Sequence, residues 1–248
     1  NSIVRGSNVW FAFSADNSTK DFATSVEGDN VTLALRPTSC TTQTSCNFAD
    51  NGTFTTHHAD LTTAPQIADS GDGVYVLFGT LTAITGLNKR DNGTNATLTG
   101  FTALNANNWC STSTGVVGAG VIVVSDNGTN GWIVDQLYDN GSTFRRSGAT
   151  GTGIDDQVAT SRCAVTYLSG TYYLAIADVV HATTLGDNVS VWKSTDLATW
   201  TQIGSDFAAE GDIVGVAIGT TGSSASDNGV WVAINDNEST GATYGEVK

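Results

Sequence analysis

The chain has 248 residues, of which 40% are apolar and only 14% charged, with a formal net charge of −14. Its ten basic residues are scattered, which excludes the basic patch that a phosphate backbone or an anionic membrane surface requires. Every apolar run is far shorter than the about 20 residues that span a bilayer, so neither nucleic acid nor membrane insertion is expected. The chain opens on Asn1 rather than methionine, and the expectation is a processed product or an excised part of a longer chain, with a signal peptide or other upstream sequence lost.

Residues 2–5 and 8–13 read as a strand pair, the second apolar almost throughout and too short for a buried helix. Such a run fits a strand covered on both faces. Residues 73–78, 120–124, 171–176 and 229–234 resemble it. Each follows a glycine-rich turn and an earlier strand, as residues 65–68, 164–168 and 213–218 show. Further strands succeed these hairpins, for example residues 189–193 and 199–203. Four strands recurring about every 50 residues are the mark of propeller blades. The expected fold is all-β: a single domain over 1–248, a five-bladed β-propeller with four antiparallel strands per blade. The blades start near 1, 64, 115, 161 and 211. After its hairpin the last blade has only residues 243–247 left, so it lacks an outer strand, and an open edge of that kind calls for cover.

The four cysteines are Cys40, Cys46, Cys110 and Cys163. No paired C-x2-C spacing suggests zinc, so two disulfides and an oxidising compartment are expected. Three pairings are formally open. Cys40 with Cys46, closing a small loop, and Cys110 with Cys163, joining distant segments, is the favoured one. Nine N-x-[ST] sequons begin at Asn17, Asn30, Asn51, Asn92, Asn95, Asn127, Asn140, Asn188 and Asn237, about twice the chance rate for this composition. They point to a glycosylated surface carried on turns and to an extracellular, secreted or cell-surface location.

The tripeptide Asp-Asn-Gly recurs at Asp50, Asp91, Asp126, Asp139 and Asp227. It suits tight hairpins, because glycine supplies positive φ and the Asp side chain caps turn amides. A calcium loop stays open as the alternative, although the spacing is not that of an EF-hand and no closing Glu is present. No other metal and no cofactor is expected.

Two turns resemble the Asp-boxes of sialidase-like propellers. Residues 139–144 keep the Asp, Gly, Thr and aromatic, with Leu137 at the Ser position, and residues 194–200 keep Ser194, Asp196, Thr199 and Trp200 without the Gly. The second turn also resembles turns of five-bladed arabinanase-type glycoside hydrolases. That resemblance implies three inward carboxylates with a Glu as general acid, yet only Glu27, Glu210, Glu238 and Glu246 exist and none falls in the third blade. The sialidase resemblance implies an arginine triad. Arg5 and Arg162 fall on predicted inner strands and Arg145-Arg146 nearby, but the Phe-Arg-Ile-Pro signature is missing.

Asp16, Asp178 and Asp236, each after the second strand of a blade, are the remaining candidates for a ligand face, although their repetition also suits turns. His57-His58 reads as a solvated loop, His181 stands alone, and Trp10, Trp132, Trp192, Trp200 and Trp231 read as packing between blades. The resulting expectation is a non-catalytic extracellular glycoprotein, structural or adhesive, acting through self-association or other surface proteins. Strand donation into the last blade would make it a filament subunit. The alternative is a glycan-binding or glycan-hydrolysing sialidase-like propeller.

Overall fold

The computed structural model describes residues 2–5, 8–15, 29–37, 49–58, 66–80, 82–91, 94–97, 104–105, 107–126, 131–138, 142–147, 152–154, 162–178, 188–208, 212–221, 229–237 and 243–247. Among them there is no helix, and every strand pair with a resolved register is antiparallel. The first sheet runs β1 (Ser2–Arg5), β2 (Asn8–Ala15), β3 (Asp29–Pro37), β4 (Ala49–His58) in sequence order. The second runs β5 (Gln66–Asp69), β6 (Val74–Thr80), β7 (Ala83–Asp91), β8 (Thr94–Thr97), and the short β9 (Leu104–Asn105) also pairs with β7. The third contains β10 (Asn107–Ser113), β11 (Val121–Asp126), β12 (Trp132–Leu137) and β13 (Thr143–Arg145).

The fourth sheet contains β14 (Arg162–Leu168), β15 (Thr171–Asp178), β16 (Asn188–Ser194) and β17 (Thr201–Gln202), with β18 (Phe207–Ala208) pairing with the start of β16 on the same side as β17. The fifth has three strands among the described residues: β19 (Asp212–Thr221), β20 (Gly229–Asn237) and β21 (Thr243–Val247). The chain divides into two compact units. One comprises Asn1–Asn105, Val116–Val121 and Tyr138–Ser142, and the other Ala106–Gly115, Ile122–Leu137 and Thr143–Lys248.

In the first unit the second sheet is built around β6, whose Val74, Tyr75, Val76, Leu77 and Phe78 are all buried. A strand with no polar alternation must be covered on both faces. Gly86, across from Phe78 on β7, makes room for it: a Cβ there would meet the Phe78 ring at 2.0 Å.

The second unit shows the same logic in β15. Leu174 and Ile176 pack with Tyr172, Leu197 and Trp200 against Cys110, Ile122, Val124, Trp132 and Val134 of the third sheet and the nearby Ile154. The alternate residues Ala175 and Ala177 turn to the opposite face and meet Ile213, Val232 and Ile234 of the fifth sheet. Strand alternation thus sends large side chains one way and alanines the other. Fully burying a Leu or Ile contributes about 1.5–3 kcal/mol, so the three sheets are held as stacked layers.

Several expectations are corrected. The third sheet begins at Asn107, earlier than the expected 115. Its first strand, Asn-Asn-Trp-Cys-Ser-Thr-Ser, carries a weak apolar signal although Trp109, Cys110, Ser111 and Thr112 are buried. Asp50-Asn51-Gly52 is no hairpin turn but part of β4, beside the register shift between Thr32 and Ala34, where an extra residue is absorbed as a bulge. His57 and His58 belong to the same strand rather than to a loop. Trp132 and Trp200 pack as expected, but Trp231 is half exposed. Asn30, Asn51, Asn95, Asn188 and Asn237 lie within strands rather than on turns.

Candidate functional site

In the second unit, β10 and β14 lie side by side and point the same way. Cys110 at the middle of β10 and Cys163 near the start of β14 form a disulfide with Cα atoms 5.7 Å apart, as expected for this pair. At their far ends the Tyr172 hydroxyl donates to the Thr114 carbonyl at 2.6 Å, and Tyr172 is the register partner of Tyr167 near the end of β14. β19 follows the same direction, because Ile213 at its start packs with Ala175 and Ala177 near the end of β15. The two ends of this three-sheet stack are therefore distinct.

At one end the inner strands begin and their hairpin partners finish. Arg162 opens β14 opposite Ala177, and the next residue, Asp178, closes β15 opposite Asn188. Asp212 opens β19 opposite Asn237, with Ile213 opposite Asp236. Asp126 closes β11, the hairpin partner of β10, and is buried at 4% exposure. By strand position, five charged residues of three sheets thus stand at one end: Asp126, Asp178, Asp212, Asp236 and the half-buried Arg162. Of the expected ligand-face residues, Asp178 and Asp236 are brought to this end, and Asp16 lies outside the described residues.

Asp126 and Asp212 were missed by sequence reasoning. Asp126 was assigned to a turn, although its place after an apolar strand matches that of Asp178. Asp212 carries no motif and shows itself only once the strand register is known. Among the described residues no group of three or more His, Cys, Asp or Glu is arranged to hold a metal ion.

The opposite end is a set of closed turns. In residues 194–200 the Ser194 hydroxyl accepts from the amides of Asp196 and Leu197 at 3.3 and 2.8 Å and donates to Asp196 Oδ1 at 3.1 Å. Asp196 Oδ1 in turn accepts from the amides of Ala198 and Thr199 at 2.9 and 2.8 Å. The Trp200 indole donates to the Leu197 carbonyl at 3.3 Å while its ring enters the core. Hydrogen bonds from the Thr199 and Ala198 amides hold the Asp196 carboxyl below its usual range. This is the Asp-box pattern the sequence suggested. Its polar groups are consumed by the turn, so it has a structural role.

The second box differs. Residues 139–141 lie outside the described residues, and Phe144 is 54% exposed with the Arg146 guanidinium 5.2 Å from its ring centre. Arg145 and Arg146 are engaged by their own sheet: Arg145 Nε meets the buried Asp135 at 2.6 Å, and Arg146 Nε donates to Gln136 at 2.5 Å. Arg5 closes β1 beside its hairpin turn, opposite Asn8, whereas Arg162 opens β14. Within the second unit, Arg145 and Arg146 are thus engaged on the third sheet while Arg162 stands at the start of β14.

Beside the Asp-box end, burial pushes the Tyr172 hydroxyl up, reinforced by Tyr167. In the first unit burial raises Asp72, but the Lys89 ammonium at 2.6 Å and the Ser70 hydroxyl outweigh it and hold the carboxyl low.

Among the expected modification sites, Asn188 is exposed. Asn17, Asn92, Asn127 and Asn140 lie outside the described residues, as do Cys40, Cys46 and His181. Among the described residues no helix is long and apolar enough to cross a membrane.

No family model matches the chain, and no curated protein matches its sequence. Solved structures do match. A GH43 β-1,3-galactosidase superposes with a TM-score of 0.56 at 9% identity, covering 100% of this chain and 55% of its own. The Trypanosoma rangeli sialidase gives 0.53 at 11% identity, covering 99% of this chain and 44% of its own. This chain therefore spans about half the length of either. The Bacillus subtilis arabinanase Arb43A also matches, with a TM-score of 0.44 at 11% identity over 100% of this chain and 91% of its own.

The fold is all-β and of the β-propeller kind, as in the GH43 galactosidase and the sialidase. The expectation of a non-catalytic structural or adhesive filament subunit, built by self-association, is corrected by these matches. The galactosidase and the sialidase that superpose on this chain are glycosidases rather than filament or adhesion proteins. The filament reading rested on an incomplete last sheet, and a three-stranded edge does not by itself call for a donor strand.

Proposed function

We propose that the chain is an extracellular, glycan-acting five-bladed β-propeller that takes sugar at the end where its inner strands begin. The observation that carries this reading is the gathering of Asp126, Arg162, Asp178, Asp212 and Asp236 at one end of three stacked sheets. Carboxylates accept hydrogen bonds from sugar hydroxyls, and a glycosidase needs a pair of them flanking the scissile bond. Arg162 adds a fixed donor fork for ring or hydroxyl oxygens. The fold supports the reading as analogy only, since one fold hosts many activities. The Cys110–Cys163 disulfide supports an oxidising compartment.

The test is calorimetric binding to a panel of neutral and acidic oligosaccharides, with release of reducing sugar followed in parallel. Binding by the parent chain, weakened at least about tenfold by Asp178→Asn or Arg162→Ala at unchanged stability, is expected, equivalent to about 1.4 kcal/mol. Sugar binding untouched by either variant would move the site elsewhere, and no binding across the panel would remove the reading.

A further inference from the structure

Asn188 is exposed at the first position of β16. Its backbone is paired on both sides, with Asp178 of β15 and with Ala208 of β18. Val189 is fully buried between Ala177 and Phe207 in the core of the fourth and fifth sheets. Ser190, the hydroxyl residue that makes the sequence a sequon, is 4% exposed, and its Oγ accepts a hydrogen bond from Trp192 Nε1 at 2.8 Å.

An enzyme that selects N-x-[ST] must touch both the Asn amide and the hydroxyl two residues on. Residues i and i+2 of a strand share a face, so the two groups are aligned, but only the first is reachable once the sheet has formed. Presenting Ser190 requires β16 to leave β15 and β18, breaking both ladders and lifting Val189 from the core.

From this we infer that Asn188 is a modification site open only on the unfolded chain, where glycan transfer must precede formation of the fourth sheet. In that transfer Asn188 Nδ2 bonds to the anomeric carbon of a lipid-diphosphate-linked sugar donor. The bond from that carbon to the diphosphate breaks, the lipid diphosphate departs with its electron pair, and one amide proton is released. Folding afterwards is compatible with the product, because the Asn188 side chain remains exposed. Asn30 holds a matching position near the start of β3, paired with both Ala15 and Thr55, and the same backbone constraint applies there. The inference rests on the reading of the chain as secreted.

The experiment supplies an oligosaccharyltransferase and its lipid-linked donor to three acceptors. These are the folded unglycosylated chain, the same chain reduced and denatured then diluted into the assay, and a peptide of residues 185–193. Occupancy of Asn188 is read by mass spectrometry of the glycopeptide. The peptide and the unfolded chain are expected to accept the glycan, and the folded chain at least about tenfold more slowly, through local opening alone. Equal rates for folded chain and peptide would overturn the inference, and so would a peptide that accepts nothing. Because the assay is made with purified components, failure of the secretion reading would show separately, as native protein that carries no glycan at any sequon.

Discussion

The two ends of the second unit solve opposite problems with similar residues. At the Asp-box end, Ser194, Asp196 and Trp200 spend their polar groups on the turn itself, and the indole ring enters the core. At the other end, Asp126, Arg162, Asp178, Asp212 and Asp236 are delivered by strand register, with a disulfide tying the middle of β10 to the start of β14. An aspartate therefore acquires its meaning from where its strand stops. The first end is built for stability, and the second is where strand register gathers charged residues.

Substitutions that separate the two ends sharpen this contrast. The largest effect is expected from Trp200→Ala, which empties a site shared by Leu174, Ile176 and Trp132. Chemical denaturation should show a loss of about 3–5 kcal/mol with sugar affinity of the surviving folded fraction unchanged. Replacing both Cys110 and Cys163 with alanine removes the tie between the middle of β10 and the start of β14. It should cost about 2–4 kcal/mol and, unlike Trp200→Ala, weaken sugar binding as well.

Gly115→Ala comes next. Gly115 has φ +71°, and an added Cβ would lie 2.1 Å from the Tyr167 ring, whose hydroxyl accepts the Gly170 amide at 3.0 Å. Displacing that ring should cost about 1–3 kcal/mol in thermal unfolding, again without touching the site.

The smallest effect is electrostatic. The Asp196 carboxyl is held below its unfolded value by the Thr199 and Ala198 amides. Its contribution is therefore fully present above the ordinary aspartate range and is lost as pH falls through the folded value. Asp196→Asn should destabilise by about 1 kcal/mol near neutrality, and the gap to the parent chain should close on acidification towards pH 3. A gap that widens in acid would show that the carboxylate is not what the turn amides stabilise.

Much of the fold was legible because its strands carry their own signal. Val74–Phe78, Val121–Val124 and Leu174–Ala177 are apolar without interruption, and buried strands must be. The Asp-box at Ser194 was legible because a turn is local chemistry. β10 was hard to read, since its polar-looking sequence is buried only through what its neighbours place upon it. The site was half legible for a related reason. Asp178 and Asp236 follow apolar strands and stand out, whereas Asp212 joins them through the pairing of β19 with β20, a long-range fact absent from any local pattern. The glycosidase likeness was visible in the turns, but the failed catalytic motifs drew the functional reading towards a structural protein.

The most direct test of the account is to measure oligosaccharide binding by the parent chain beside Asp178→Asn and Asp196→Asn. The account predicts that Asp178→Asn weakens binding at least about tenfold while leaving stability intact, and that Asp196→Asn lowers stability while leaving affinity intact. The reverse pattern, with affinity following the turn residue and indifferent to Asp178, would contradict the assignment of the two ends.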